Sequence, residues 1–257
     1  MDPQALVFVF AVIMFLSVVV FGYIPLSLEL SSKSLKQLTA IGAGVLIGSA
    51  FLVVIPEALE IFGGQEEEGH IESSSIGLSI LLGFVLMLLL ETFGLPHAVH
   101  HDEDKDLLGL SATIGLIAHA AADGLAVGAS VSSSTETGLI VFVAIMLHKG
   151  PAAFGLSSFL KHIKLEESKS KLYLIIFALS SPIFAILTFF ALKDTSFATD
   201  ENIGLTLLFS AGTFIYVATI DVLPEVHSHD HEHDAPVLFV ILGMVLVFLT
   251  TLIGHIH

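Results

Sequence analysis

Residues 109–132 read GLSATIGLIAHAAADGLAVGASVS. The stretch is apolar or small throughout except for His119 and Asp123, and at 24 residues it is long enough to cross a bilayer as a helix. A charge at the bilayer centre costs at least about 2.5–3.5 kcal/mol, so a carboxylate kept there implies a use for it. In His119-Ala120-Ala121-Ala122-Asp123-Gly124 the two polar residues stand at i and i+4. They share one helix face, one turn apart, which is the spacing for holding a cation between them. Gly115, Gly124 and Gly128 keep the same helix slim for a close neighbour.

Outward from this segment, the same window finds seven more apolar stretches. Together the eight expected spans are about 4–24, 38–60, 76–95, 109–132, 138–160, 172–192, 203–225 and 236–254. Composition agrees: 54% of the 257 residues are hydrophobic and 13% charged, about half the charged share of a soluble domain. That excess has to face lipid. The expected fold is therefore an all-α membrane protein of eight transmembrane helices. The whole chain, 1–257, reads as one such domain, with His/acid-rich loops at 96–108 and 227–235. The first span lacks a basic leader and a small-residue cleavage site, so it reads as a retained helix.

Charge sets an orientation. Lys33, Lys36, Lys105, Lys161, Lys164, Lys169 and Lys171 fall in alternate connections, while the opposite set holds only Lys193. The positive-inside rule then places both termini outside the cytosol and both His-rich loops within it. The absence of cysteine removes disulfides, thiolate metal sites and cysteine nucleophiles. Nine basic residues against 25 acidic ones exclude nucleic acid as a partner and point toward cations.

One internal repeat is visible. Residues 43–57 recur 168 positions later as 211–225, ending in Pro56-Glu57 and Pro224-Glu225. Helix 2 runs outward and helix 7 inward under the lysine orientation, so the repeat is inverted, a signature of secondary transporters with a midplane site.

Helix 5 adds His148-Lys149-Gly150-Pro151, where Pro151 removes a helical donor and should kink the helix beside His148. His119, Asp123 and His148 are the expected metal ligands, placing the site between helices 4 and 5. Two imidazoles and a carboxylate suit Zn²⁺ with water as a fourth ligand, and also accept Mn²⁺ or Fe²⁺. Lys149 reads as an internal counter-ion, with Asp123 or Asp221 of helix 7 as its partner. Glu57 and Glu225 stand at helix ends as candidate pathway mouths. His97, His100 and His101, and His227, His229, His231 and His233, read either as solvated linkers or as a cytosolic zinc relay.

These residues, with the helix-5 run His148-Lys149-Gly150-Pro151-Ala152-Ala153-Phe154-Gly155, resemble the ZIP (Zrt/Irt-like) family of zinc transporters over nearly the whole chain. The Ile145-Met146-Leu147-His148-Lys149 stretch is most similar to its Golgi-associated branch. The resemblance implies a two-metal centre in typical members, to which His119, Asp123 and His148 match in part. Ala120, Lys149 and Ala152 depart from that pattern, replacing an Asn, an acidic residue and a final ligand. The expectation is a mononuclear site in which the Lys149 ammonium stands in for the second cation, and Zn²⁺ moves into the cytosol as transported substrate. A Golgi or other secretory-pathway membrane is expected, with the plasma membrane as the alternative. Expected partners are divalent metals, lipid and a second copy of the chain in a homodimer. Two other readings compete: a metal-regulated receptor or scaffold without transport, and an intramembrane metalloprotease. The protease needs a Glu beside its metal His, where this chain has Lys149.

Overall fold

The computed structural model describes residues 2–29, 31–63, 73–94, 105–193, 195–224 and 236–254. Each expected span is a helix. We number them α1 (Pro3–Ser27), α2 (Ser32–Ser49, continued by a π-helical stretch Ala50–Val54 and by Ile55–Gly63), α3 (Ser73–Gly94) and α4 (Lys105–Ser133). The others are α5 (Thr135–His162), α6 (Glu167–Leu192), α7 (Asp200–Tyr216, continued by the π-helical Val217–Val222) and α8 (Pro236–Gly254). Among the described residues, seven are long and apolar enough to cross a membrane, and α8 adds an apolar stretch over Val237–Leu249. The chain is a multi-pass membrane protein.

The lipid-facing surface is as apolar as the core. On α1, Val7, Met14 and Val18 are buried while Phe8, Val12, Leu16 and Val20 form an exposed stripe at helical spacing. A helix apolar all round suits a bilayer, where the outer face meets hydrocarbon instead of water. Burial ranks the helices: 72% of the apolar window of α4 is buried against 11% for α3. Helix α4 is thus the centre of the bundle and α3 lies at its edge.

A very short connection sets the depth of the central residues. Ser134 alone separates α4 from α5, and its side chain accepts the Thr137 N–H at 3.0 Å as an N-cap. His119 lies fifteen residues before Ser134 and His148 fourteen after it. At about 1.5 Å per residue both sit roughly 21 Å from the hairpin tip, at the same height. Helix α5 remains helical through Pro151 from Thr135 to His162.

The Pro-Glu repeat has a structural counterpart. Pro56 and Pro224 have no N–H to give to the carbonyl four residues back, and their rings crowd it. Each is preceded by a widened turn, in which Ile55 N–H bonds Ala50 O and Leu223 N–H bonds Ala218 O, both five residues back. The close crossings repeat as well. A Cβ on Gly44 of α2 would collide with the Val240 carbonyl of α8, and one on Gly212 of α7 with the Ile80 carbonyl of α3. In return Gly243 of α8 rests on the Ile41 carbonyl, and Gly83 of α3 on that of Phe209. Ile41 and Phe209 are again 168 positions apart. The repeat therefore extends beyond residues 43–57 and relates the α2–α8 pair to the α3–α7 pair. Likewise α1 packs on α5 as α6 packs on α4.

Gly212→Val should break this α3–α7 crossing, because the obstacle is backbone and cannot rotate away. Overpacking of this kind costs about 1–3 kcal/mol or more. The thermal unfolding midpoint in detergent should fall, and an unchanged midpoint would show that the helices have room to separate.

Candidate metal centre

Helix α4 brings His119 and Asp123 to the bundle centre, and α5 brings His148 and Lys149 to face them. All four are buried, none more than 1% exposed. His119 Nε2 lies 3.3 Å from Asp123 Oδ2, and His148 Nε2 lies 3.4 Å from the same oxygen. One ligand atom from each of the three residues lies within 4.8 Å of the others, so the residues expected to bind metal are together.

The outer hydrogen bonds orient both imidazoles. His119 Nδ1 is 2.9 Å from Ser210 Oγ and 3.2 Å from Ser210 O. His148 Nδ1 is 3.1 Å from Ala144 O, one turn back. A carbonyl only accepts, so each Nδ1 carries the proton and each Nε2 presents a lone pair. Both lone pairs therefore face a carboxylate oxygen that is itself an acceptor. A cation between them turns two acceptor–acceptor contacts into three bonds. The two nitrogen–oxygen spacings fit such an ion: zinc bonds of about 2.0–2.1 Å put tetrahedral ligands about 3.3–3.4 Å apart.

Lys149 meets the same Asp123 oxygen as the two imidazoles. Its Nζ donates to Asp123 Oδ2 at 3.2 Å and to Ser181 Oγ of α6, and lies 5.8 Å from the Phe177 ring centre. Ser181 passes its own proton to Ala120 O at 2.6 Å. Helix α6 comes this near because α4 is bare at Gly124, where a Cβ would meet Ser181 O at 2.5 Å. The ammonium is thus paired and hydrogen-bonded, the condition on which a buried charge is tolerable. Asp123 is its described partner, and the side chain of Asp221 lies outside the described residues.

Three contributors escaped the sequence reading. Ser210 on α7 donates to Asp123 Oδ1 at 2.8 Å. Phe214, one turn on, stacks on His119 with ring centres 4.1 Å apart and planes 4° from parallel. Ser181 holds Lys149, and the run Ser180-Ser181-Pro182 in mid-span was the available signal. Glu57 is half-buried in the last part of α2, with Oε1 buried and without a hydrogen-bond partner among the described residues. Glu225, His97, His100, His101, His227, His229, His231 and His233 lie outside the described residues.

Comparison with known sequences identifies the family of the chain. The family model described as ZIP Zinc transporter matches residues 4–107 and 97–251. Zinc transporter ZIP9 of Micropogonias undulatus is 39% identical over an alignment 312 positions long that covers 100% of both chains. Zinc transporter ZIP9-A of Xenopus laevis is 40% identical, over 91% of this chain and 89% of its own. Zinc transporter ZIP13 of Pongo abelii is 27% identical, over 87% of this chain and 69% of its own. With matches of this extent on nearly the whole sequence, the chain belongs to the ZIP zinc transporter family.

Proposed function

We propose that this protein carries Zn²⁺ across a membrane into the cytosol, one ion at a time, through His119, Asp123 and His148. The observation that carries this is the pair of imidazole Nε2 atoms, 3.3 and 3.4 Å from a single carboxylate oxygen, buried among membrane-spanning helices. Lys149 takes the place of a second cation, since its ammonium already occupies the carboxylate that two metals would share. The lysine distribution supports extracytoplasmic termini and cytosolic His-rich loops, which would meet the ion on release. The resemblance of the Ile145-Met146-Leu147-His148-Lys149 stretch to the Golgi-associated branch supports a Golgi or other secretory-pathway membrane. Mn²⁺ and Fe²⁺ are the competing cargoes that this ligand set admits.

The family is one of transporters and not enzymes, which sets aside the intramembrane protease. A zinc-sensitive receptor without flux is the remaining rival. Purified protein in liposomes loaded with a zinc-sensitive dye separates the two. Saturable Zn²⁺ entry, weakly competed by Mn²⁺ and Fe²⁺, is the expected result. Zinc binding without entry would overturn transport and leave the receptor reading.

A further inference from the structure

The Asp123 carboxylate is divided between two tasks. Its Oδ2 faces both His Nε2 atoms and the Lys149 ammonium, while its Oδ1 accepts the Ser210 hydroxyl at 2.8 Å. Ser210 is fully buried, and its hydroxyl has one proton to give. Because His119 Nδ1–H already donates to Ser210 Oγ, at 2.9 Å, that proton is left for Asp123 Oδ1. One carboxylate oxygen is thereby withheld from any ion in the site.

We propose that Ser210 determines metal selectivity, by restricting Asp123 to a single ligand oxygen. Zn²⁺ is satisfied with two imidazoles, one carboxylate oxygen and a water. Larger or more oxygen-seeking ions such as Mn²⁺ and Cd²⁺ gain from a bidentate carboxylate and a higher coordination number. With Oδ1 committed to Ser210, that gain is refused. Internal symmetry does not require a hydroxyl here. The repeat-equivalent residue of Ser210 is Gly42, which has no side chain and where an added Cβ would meet Gly155 Cα at 3.1 Å. The hydroxyl is a departure from the repeat, located where the ligands are. This inference rests on the proposed zinc site.

Ser210→Ala frees Oδ1 and leaves the Ser210 backbone carbonyl to hold His119 Nδ1–H, so the imidazole keeps its acceptor. Ser210→Thr retains the hydroxyl. In proteoliposomes, the ratio of Mn²⁺ to Zn²⁺ flux should rise about tenfold in Ser210→Ala and stay near native in Ser210→Thr. An unchanged ratio in Ser210→Ala, or loss of flux for every ion alike, would overturn the proposal. The zinc K-edge absorption spectrum of the native protein gives a reading free of variants. Four-coordinate zinc with one carboxylate oxygen is expected, and a bidentate carboxylate would overturn it. Failure of the native protein to bind zinc at all would instead overturn the site on which the inference rests.

Discussion

His119→Ala should abolish saturable Zn²⁺ flux while the protein still folds and inserts. In the proposed site the imidazole supplies one of three protein ligands, and changes even in the residues that support a ligand cost about 10–100-fold in metal affinity. Losing the ligand itself should cost at least about 100-fold. The fold should survive because Asp123 keeps Lys149 and Ser210, at 3.2 and 2.8 Å. The cavity beside Phe214 should lower stability modestly. Zinc-dependent dye response in proteoliposomes measures flux, and size-exclusion profiles in detergent measure folding. Normal flux in His119→Ala would remove the proposed site.

Lys149 should give the other large effect, with opposite sign on affinity. Two unit charges about 4 Å apart interact by about 4 kcal/mol at an effective dielectric of about 20. The ammonium is 3.2 Å from the carboxylate oxygen that faces both imidazoles, so it opposes any divalent ion placed there. Lys149→Met should therefore tighten equilibrium zinc binding more than tenfold. Without zinc the same variant should be less stable by about 3–5 kcal/mol, since it leaves Asp123 buried and unpaired. Zinc should restore most of that loss. Turnover should fall, because release from the tighter site is slower. Isothermal titration and melting with and without zinc check both signs, and zinc affinity unchanged or weaker in Lys149→Met would contradict the electrostatic role.

Much of this was legible in the sequence because bilayers make polar residues conspicuous. His119, Asp123, His148 and Lys149 stood out against apolar runs, and all four meet. The Pro56 and Pro224 pair marked the repeat, since proline acts on its own helix and the widened turns follow locally. The starts of α2, α5 and α7 came several residues earlier than hydropathy alone suggests, because Ser31, Ser134 and Thr199 cap polar first turns. Ser181 and Ser210 were not legible for a physical reason. Most hydroxyls in membrane helices bond back to their own turn, as Ser180 does to Ile176 O, Thr206 to Asn202 O and Thr219 to Ile215 O. Which serines leave their helix to serve another depends on how close the helices come. At Ser181 that closeness is set by Gly124 across the α4–α6 contact, a pairing the sequence does not print.

The central claim is that one ion and one ammonium occupy the space of two metals, and metal stoichiometry tests it most directly. Purified protein is saturated with zinc, freed of loosely held ions by a weak chelator, and assayed for zinc per chain. A variant lacking residues 227–234 excludes the His-rich loop from the count. One zinc per chain is predicted for both, rising to two in Lys149→Glu with Ala152→His. Two zinc ions in the loop-deleted protein that still carries Lys149 would contradict it.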